Sequence, residues 1–276
     1  MQSNRIGLLL TATIRPHNKN WVMRNDENIR QADYVQALKK WLTKQSSITL
    51  IVFVENSGSD LSDLKSMVRA VNQTNKQVEF LSYTYQPQGE THIGLGELSA
   101  IEFGLMHSEL LKSCEKFIKM TGRLFVKNID AITNQLHDNF HMVSSFSENL
   151  TYVDSSIVIF DKEFYLSRIA KEATEHLKQS LTRMDFEQAY AKAFHHAIAD
   201  DYRWFPFPLW PMIEGMSGTK NKKYSAYSLF RSIRVTPVSA LYHLMHRNVF
   251  TNKLQRKHLL ERWGIKPKDS PSNQSH

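Results

Sequence analysis

The sequence predicts an α/β protein: an open, mostly parallel sheet flanked by helices, followed by a basic helical C-terminal extension. Three observations predict it. Apolar runs of strand length alternate with stretches of helical periodicity through the first half, and that order implies parallel strands joined by crossover helices. Polar clusters, Thr11–Arg15, Glu55–Ser57 and Thr121–Arg123, close three of these runs, where open α/β sheets hold ligands. The charge is also unevenly placed. Residues 220–268 carry twelve Lys or Arg against one acid, Glu261, whereas residues 1–219 carry 23 basic against 25 acidic residues.

Arg5–Thr13 is a short apolar run ending in small residues before Arg15-Pro16, a buried strand entering a loop. Asn28–Lys44 places Ile29, Ala32, Ala37, Leu38, Trp41 and Leu42 near helical spacing. Ile48–Val54 is apolar throughout, as a strand covered on both faces should be. It runs into the turn-forming ENSGSD cluster, then a helix over Leu61–Gln73 and a strand over Val78–Tyr83. Gly94–Glu97 reads as a turn before a helix over Leu98–Lys112, and Lys116–Met120 as a fourth strand. In the second half, Met142–Phe146 and Thr151–Phe160 read as strands, Lys162–Leu181 and Asp185–Ala199 as helices. The prolines force Trp204–Pro211 to be extended. Gly215–Lys223 is a flexible basic loop, and residues 229–263 form one or two basic helices.

Composition narrows the class. At 41% hydrophobic and 22% charged, 276 residues can bury a sizeable core, and 10 Gly with 8 Pro argue against a fibrous or disordered chain. No apolar run approaches the ~20 residues of a membrane span, and Met1–Arg5 leads into the first strand without a signal-peptide pattern. Cys114 is the sole cysteine, which excludes an intrachain disulfide or a cysteine-rich zinc site; it reads as a small core residue. A cytoplasmic protein is the expectation.

Taken in order, TATIRP, FVENSGSDLS, GLGELSAIEFGL, KFIKMTGRLFVKNI, VDSSIVIFDKEFY, FEQAYAKAFH and MIEGMSG resemble GT-A-type glycosyltransferases, particularly small bacterial enzymes of capsule and lipopolysaccharide assembly. The set spans residues 6–220. The resemblance implies a Rossmann-like catalytic domain at 1–220, with 221–276 as a basic amphipathic extension and short tail. It implies sugar transfer from a nucleotide-linked donor to a hydroxyl of a surface glycan. Such enzymes commonly place Asp-X-Asp after the fourth strand to hold a divalent ion on the donor diphosphate. Here Lys119-Met120-Thr121-Gly122-Arg123 stands in that place. Cations there point to phosphate neutralised directly, with no cofactor and no obligatory metal, and a monophosphate-linked donor such as a CMP-sugar needs less compensation.

The candidate residues follow from both readings. Thr11, Thr13 and Arg15 are donor contacts at a strand end or ordinary loop residues. Glu55 and Asn56 either hold the nucleotide or close a turn. Gly94, Gly96 and Glu97 form a loop over the donor by resemblance, though Glu97 also suits a helix start. Lys119, Thr121, Gly122 and Arg123 face the phosphate, or else the cations serve salt bridges. Gly215, Ser217, Gly218 and Lys220 resemble a closing phosphate loop, with a solvated linker as the alternative. By resemblance, a carboxylate near the head of the Asp185–Ala199 helix acts as general base, which makes Glu187 the first candidate and Asp154 the second. His195 and His196 point about 100° apart on a helix and do not form a metal site by themselves.

For residues 221–263, basic residues interleaved with Leu229, Phe230, Ile233 and Leu244 fit an anionic membrane surface, which suits a lipid-linked acceptor and a peripheral location on the inner face. A homodimer face is another reading. No zinc finger, basic zipper or aromatic RNA-binding motif supports nucleic acid. The competing classes are a phosphoribosyl- or nucleotidyl-transferase on a similar sheet, and a non-enzymatic basic nucleic-acid-binding module.

Overall fold

The computed structural model describes residues 5–17, 22–72, 74, 76–87, 94–180, 185–218, 221 and 223–224. Its strands are β1 (Ile6–Ala12), β2 (Leu50–Glu55), β3 (Gln77–Ser82), β4 (Lys116–Thr121), β5 (Leu124–Val126), β6 (Met142–Val143), β7 (Phe146–Ser147), β8 (Tyr152–Val153), β9 (Ile157–Asp161), β10 (Trp204–Phe205) and β11 (Ile213–Gly215). The helices are α1 (Glu27–Thr43), α2 (Ser62–Val71), α3 (Gly94–His107), α4 (Glu109–Lys112), α5 (Ile129–Thr133), α6 (Lys162–Phe164), α7 (Ala170–Gln179) and α8 (Phe186–Ala199). A π-helical turn, Tyr165–Ile169, links α6 to α7.

Among the described residues a seven-stranded sheet has the order β10–β6–β9–β4–β1–β2–β3. β4, β1, β2 and β3 run parallel, and β9 runs antiparallel to both β4 and β6. The mostly parallel α/β architecture is therefore the one the sequence predicts. The pleat sends successive side chains to opposite faces. Leu9, Val52, Val54 and Phe117 join one core with α3, α7 and α8; Leu8, Leu10, Ile51, Phe53, Ile118 and Met120 join the other with α1 and α2. Helix α1 shows why the second core closes. Asp26 caps it by accepting from the Ile29 amide at 2.9 Å, and Tyr34, Ala37, Leu38, Trp41 and Leu42 form its buried stripe.

Several predicted elements are divided. The Leu98–Lys112 helix is two helices, because Ser108 leaves the helical conformation and caps α4 through the Leu111 amide at 3.0 Å. Gly94–Glu97 is the first turn of α3, not a preceding turn. Thr151–Phe160 breaks into β8 and β9 because Asp154 Oδ1 accepts from both the amide and hydroxyl of Ser156, a local turn that competes with the ladder. Met142–Phe146 likewise divides into β6 and β7, the latter pairing with β8 in a hairpin. Of the extended 204–211 run, Trp204–Phe205 forms an edge strand, the position that prolines tolerate. The expected flexible loop at 215–223 begins as a strand, since Gly215 ends β11 against β5, and Met216 bridges Lys223. The basic helices expected over 229–263 lie outside the described residues.

Candidate active site

The chain passes from β1 outward through β2 to β3 and then returns to β4 on the other side of β1. The strand order therefore reverses between β1 and β4, and a crevice opens at their carboxyl ends. Thr11 and Thr121 are register partners there. Because β9 is antiparallel, its starting end lies at the same edge, with Met120 opposite Ile157, and the Asp154–Ser156 turn arrives beside the crevice. Residues from the first and second halves of the sequence meet at this point.

Pleat alternation puts Lys119 on the same face as Phe117, the face covered by α3 and α8. The side chain is fully buried, 0% exposed. Its ammonium forms an ion pair with Glu97 in the first turn of α3, donates to the Ser155 carbonyl at 2.6 Å and lies 5.5 Å from the Phe186 ring centre. Thr11 completes the group by donating to Glu97 Oε1 at 3.2 Å. A buried lysine is tolerated only when its charge is met by such partners.

Helix α8 brings Glu187 to this group. Asp185 and Gln188 close a capping box that fixes the helix start, and the heads of α3 and α8 touch at Gly94 and Phe186. Glu187 Oε1 accepts from the Ser155 hydroxyl at 2.7 Å. Ser155 thus joins Lys119 through its carbonyl and Glu187 through its hydroxyl. Burial raises the Glu187 pKa above the ordinary carboxylate range; the Ser155 hydrogen bond opposes the rise, Glu97 adds to it and Lys119 counters. A carboxylate poised in this way holds a proton more tightly than a solvated one and suits proton transfer.

The other predicted residues take distinct positions. Thr13 donates to Asn56 Oδ1 at 2.6 Å, and Asn56 donates onward to the Gly96 carbonyl at 2.9 Å, so the ends of β1, β2 and α3 are tied together. Glu55 is fully buried and accepts from the amides of Ile14, Ser57 and Ser59 and from the Ser57 hydroxyl. It organises two loops, and its lone pairs are taken up by them. Arg15 is exposed and pairs with Glu27 at 2.9 Å. Asp154 lies in the turn between β8 and β9, next to Ser155, and is fixed through one oxygen by Ser156.

Arg123 Nε donates to the Met216 carbonyl at 2.9 Å, and its guanidinium lies against Gly218, where a Cβ would come within 2.5 Å of Nη2. It therefore fastens the 216–218 segment to the turn that follows β4. Lys220 lies outside the described residues. Gly122 donates its amide to the Thr11 carbonyl at 2.8 Å, and a Cβ there would sit 2.9 Å from that oxygen. Gly122→Ala is accordingly expected to destabilise the chain by about 1–3 kcal/mol, measured by urea unfolding. An unchanged midpoint would show that the two strand ends separate freely.

Sequence reasoning missed Ser155, Tyr152 and Tyr224. Tyr152 lies beside Glu187, and burial first and that carboxylate second raise its phenol pKa. Tyr224 is raised chiefly by burial and then by Asp154; Ser217 hydrogen-bonds it, and Arg123 and Glu187 are also within electrostatic reach. The DSS turn was a signal for Ser155, but Tyr224 had none, because it follows the basic loop. Chain packing continues past residue 220: Arg24 donates to Asn221 Oδ1 at 2.9 Å, and Tyr224 packs on the α1 and α2 core.

No family model matches the chain, and no curated protein is significantly similar to it. Solved structures do show likenesses. The mannosyltransferase Ktr4p of S. cerevisiae is 11% identical with a TM-score of 0.48, covering 73% of this chain and 68% of its own. The galactosyltransferase LgtC, solved with donor and acceptor sugar analogues, is 12% identical with a TM-score of 0.43, covering 68% and 70%. A cytidylyltransferase of Leptospira borgpetersenii is 8% identical with a TM-score of 0.41, covering 97% and 99%. At these identities and scores the likenesses carry no information on substrate or chemistry. What the sheet does is read from its own residues. Among the described residues no helix is long and apolar enough to cross a membrane.

Proposed function

We propose that the chain transfers a glycosyl group from an activated, phosphate-linked donor to a hydroxyl, with Glu187 as general base. The observation that carries this reading is the half-buried Glu187 carboxyl, its pKa raised by burial, hydrogen-bonded at the crevice where the strand order reverses. In the reacting complex the carboxylate takes the acceptor hydroxyl proton, the acceptor oxygen bonds to the anomeric carbon, and the bond from that carbon to the phosphate oxygen breaks. Thr11, Thr13, Arg15 and Asn56 line the donor side. Arg123, Ser217 and Lys220 are assigned to the departing phosphate. Lys119 acts indirectly, by holding Glu97 and Ser155. Asp154 is the alternative base.

The acceptor is assigned to a bacterial surface glycan, lipopolysaccharide or capsule, on the motif resemblance over residues 6–220. The basic extension is assigned to an anionic membrane surface, which a lipid-linked acceptor requires; this rests on its sequence alone.

The carboxyl end of β4 offers a divalent ion no carboxylate of its own. Its side chains from Lys119 to Arg123 include no carboxylate, and the neighbouring Glu97 is already paired with Lys119. The transfer is therefore proposed to need no metal at the donor. A thermal-shift series with UDP, GDP, CMP, dTDP and phosphoribosyl pyrophosphate tests the reading. A nucleotide at 100 times its Kd should stabilise the fold by about 2.7 kcal/mol, with no requirement for Mg²⁺ or Mn²⁺. Stabilisation by phosphoribosyl pyrophosphate alone, or transfer that Mn²⁺ must restore, would overturn it.

A further inference from the structure

Helices α7 and α8 pack along each other, and their contact ends in a group unrelated to the crevice. Glu172 and His176, one turn apart on α7, meet His196 on α8. Glu172 Oε1, His176 Nε2 and His196 Nδ1 all lie within 4.8 Å of one another. His196 hydrogen-bonds Glu172. His176 Nε2 is 3.9 Å from the same carboxylate oxygen and, among the described residues, is sealed from solvent and without a hydrogen-bond partner. Buried imidazole nitrogens ordinarily have a partner, so this one is aimed at something the side chains alone do not supply.

We propose that Glu172, His176 and His196 form a binding site for a divalent transition ion of the Zn²⁺ class, clamping α7 to α8. Two imidazoles and one carboxylate are a donor set that zinc favours, with a fourth position left for water. Bonds of about 2.0–2.1 Å place ligand atoms roughly 3.3–3.5 Å apart, within reach of small rotamer changes of the exposed His196. Arg168 Nε forms an ion pair at 3.1 Å with the second Glu172 oxygen, Oε2, which leaves Oε1 for the ion. His195 takes no part: its Nε2 bonds the Leu150 carbonyl at 2.7 Å and its ring stacks on Phe146. His196 is nine residues from Glu187 on α8, about 13 Å along the axis, so the ion is structural and separate from the proposed transfer.

The test uses the untagged full chain, stripped with EDTA, dialysed, and titrated with Co²⁺ and then Zn²⁺. The expected result is one Co²⁺ per chain with the visible absorption of a four-coordinate ion, displaced by Zn²⁺, and a higher Tm in the Zn²⁺ form. His176→Ala and His196→Ala should each weaken binding by about tenfold or more, while His195→Ala leaves it unchanged. His196→Gln, at an exposed position, gives the same readout if the His176 variant does not fold. No Co²⁺ spectrum in the parent chain, undiminished Zn²⁺ affinity in the His196 variants, or an equal loss in His195→Ala would overturn the site. Because the readouts are metal affinity and Tm, they are independent of whether sugar transfer is found.

Discussion

Glu187→Gln is expected to lower turnover by about 10²–10⁴-fold, the usual contribution of general-base assistance, with donor affinity close to that of the parent. The amide keeps the shape and can still accept from Ser155, but it cannot take a proton. In the parent, activity should rise with pH through a value above the ordinary carboxylate range, because the raised pKa keeps Glu187 protonated below it. That limb should be missing from the Gln variant. Stability should move the other way. The folded chain holds the Glu187 proton more tightly than the unfolded one, so its stabilising contribution is complete below an unfolded value of about 4.3. It is lost as pH rises through the folded value. Glu187→Gln escapes that loss and should unfold at higher urea than the parent at neutral pH, with the difference closing near pH 4. Glu163→Gln, on an exposed part of α6, is the control and should change neither. Near-normal turnover in Glu187→Gln with a large loss in Asp154→Asn would transfer the role to Asp154.

Lys119→Met should be the most destabilising single change at the crevice. Removing one partner of a buried ion pair costs roughly 3–5 kcal/mol; Glu97 keeps 31% exposure, so the lower end is expected. The loss also leaves the Ser155 carbonyl without its 2.6 Å donor. Adding Glu97→Leu should recover most of the stability, because the stranded carboxylate is then gone. Lys119→Met should in addition move the pH limb of activity upward, since the attraction that lowers the Glu187 pKa disappears. Urea unfolding of the single and double variants, with a pH profile, checks both. A double variant no more stable than the single would mean that Lys119 acts through packing alone.

The parallel half of the sheet was legible because β1 and β2 are short apolar runs covered on both faces, β4 is apolar at Phe117, Ile118 and Met120, and periodicity marks the helices between them. The polar strand ends were legible for the same reason: a buried run has to stop where side chains reach solvent or ligand. The direction of β9 was not. Antiparallel pairing with β4 is a contact between residues 116–121 and 157–161, and nothing in either segment states which way the later one runs. With it went the arrival of Asp154–Ser156 at the crevice. Lys119 could have been placed more closely. Pleat arithmetic sets it on the face of Phe117, where a cation demands a buried partner, yet the partners Glu97 and Ser155 are 22 residues before and 36 after it. Tyr224 reaches the site by tertiary packing that no local pattern encodes.

The buried lysine of β4 has a consequence for the order in which the chain acquires its structure during synthesis. When the ribosome has released residues up to about 130, all four parallel strands are present, and the N-terminal part of a chain commonly folds first. This segment lacks the means to finish. Lys119 would have Glu97 but neither the Ser155 carbonyl nor the cover of Phe186, and β4 would be an open sheet edge awaiting β9. Burying the ammonium without those partners is unfavourable, so closure of the central sheet waits for α8, some 70 residues later in the chain. Nascent chains ending between β4 and α8 should therefore remain protease-sensitive, and those extending past α8 should not.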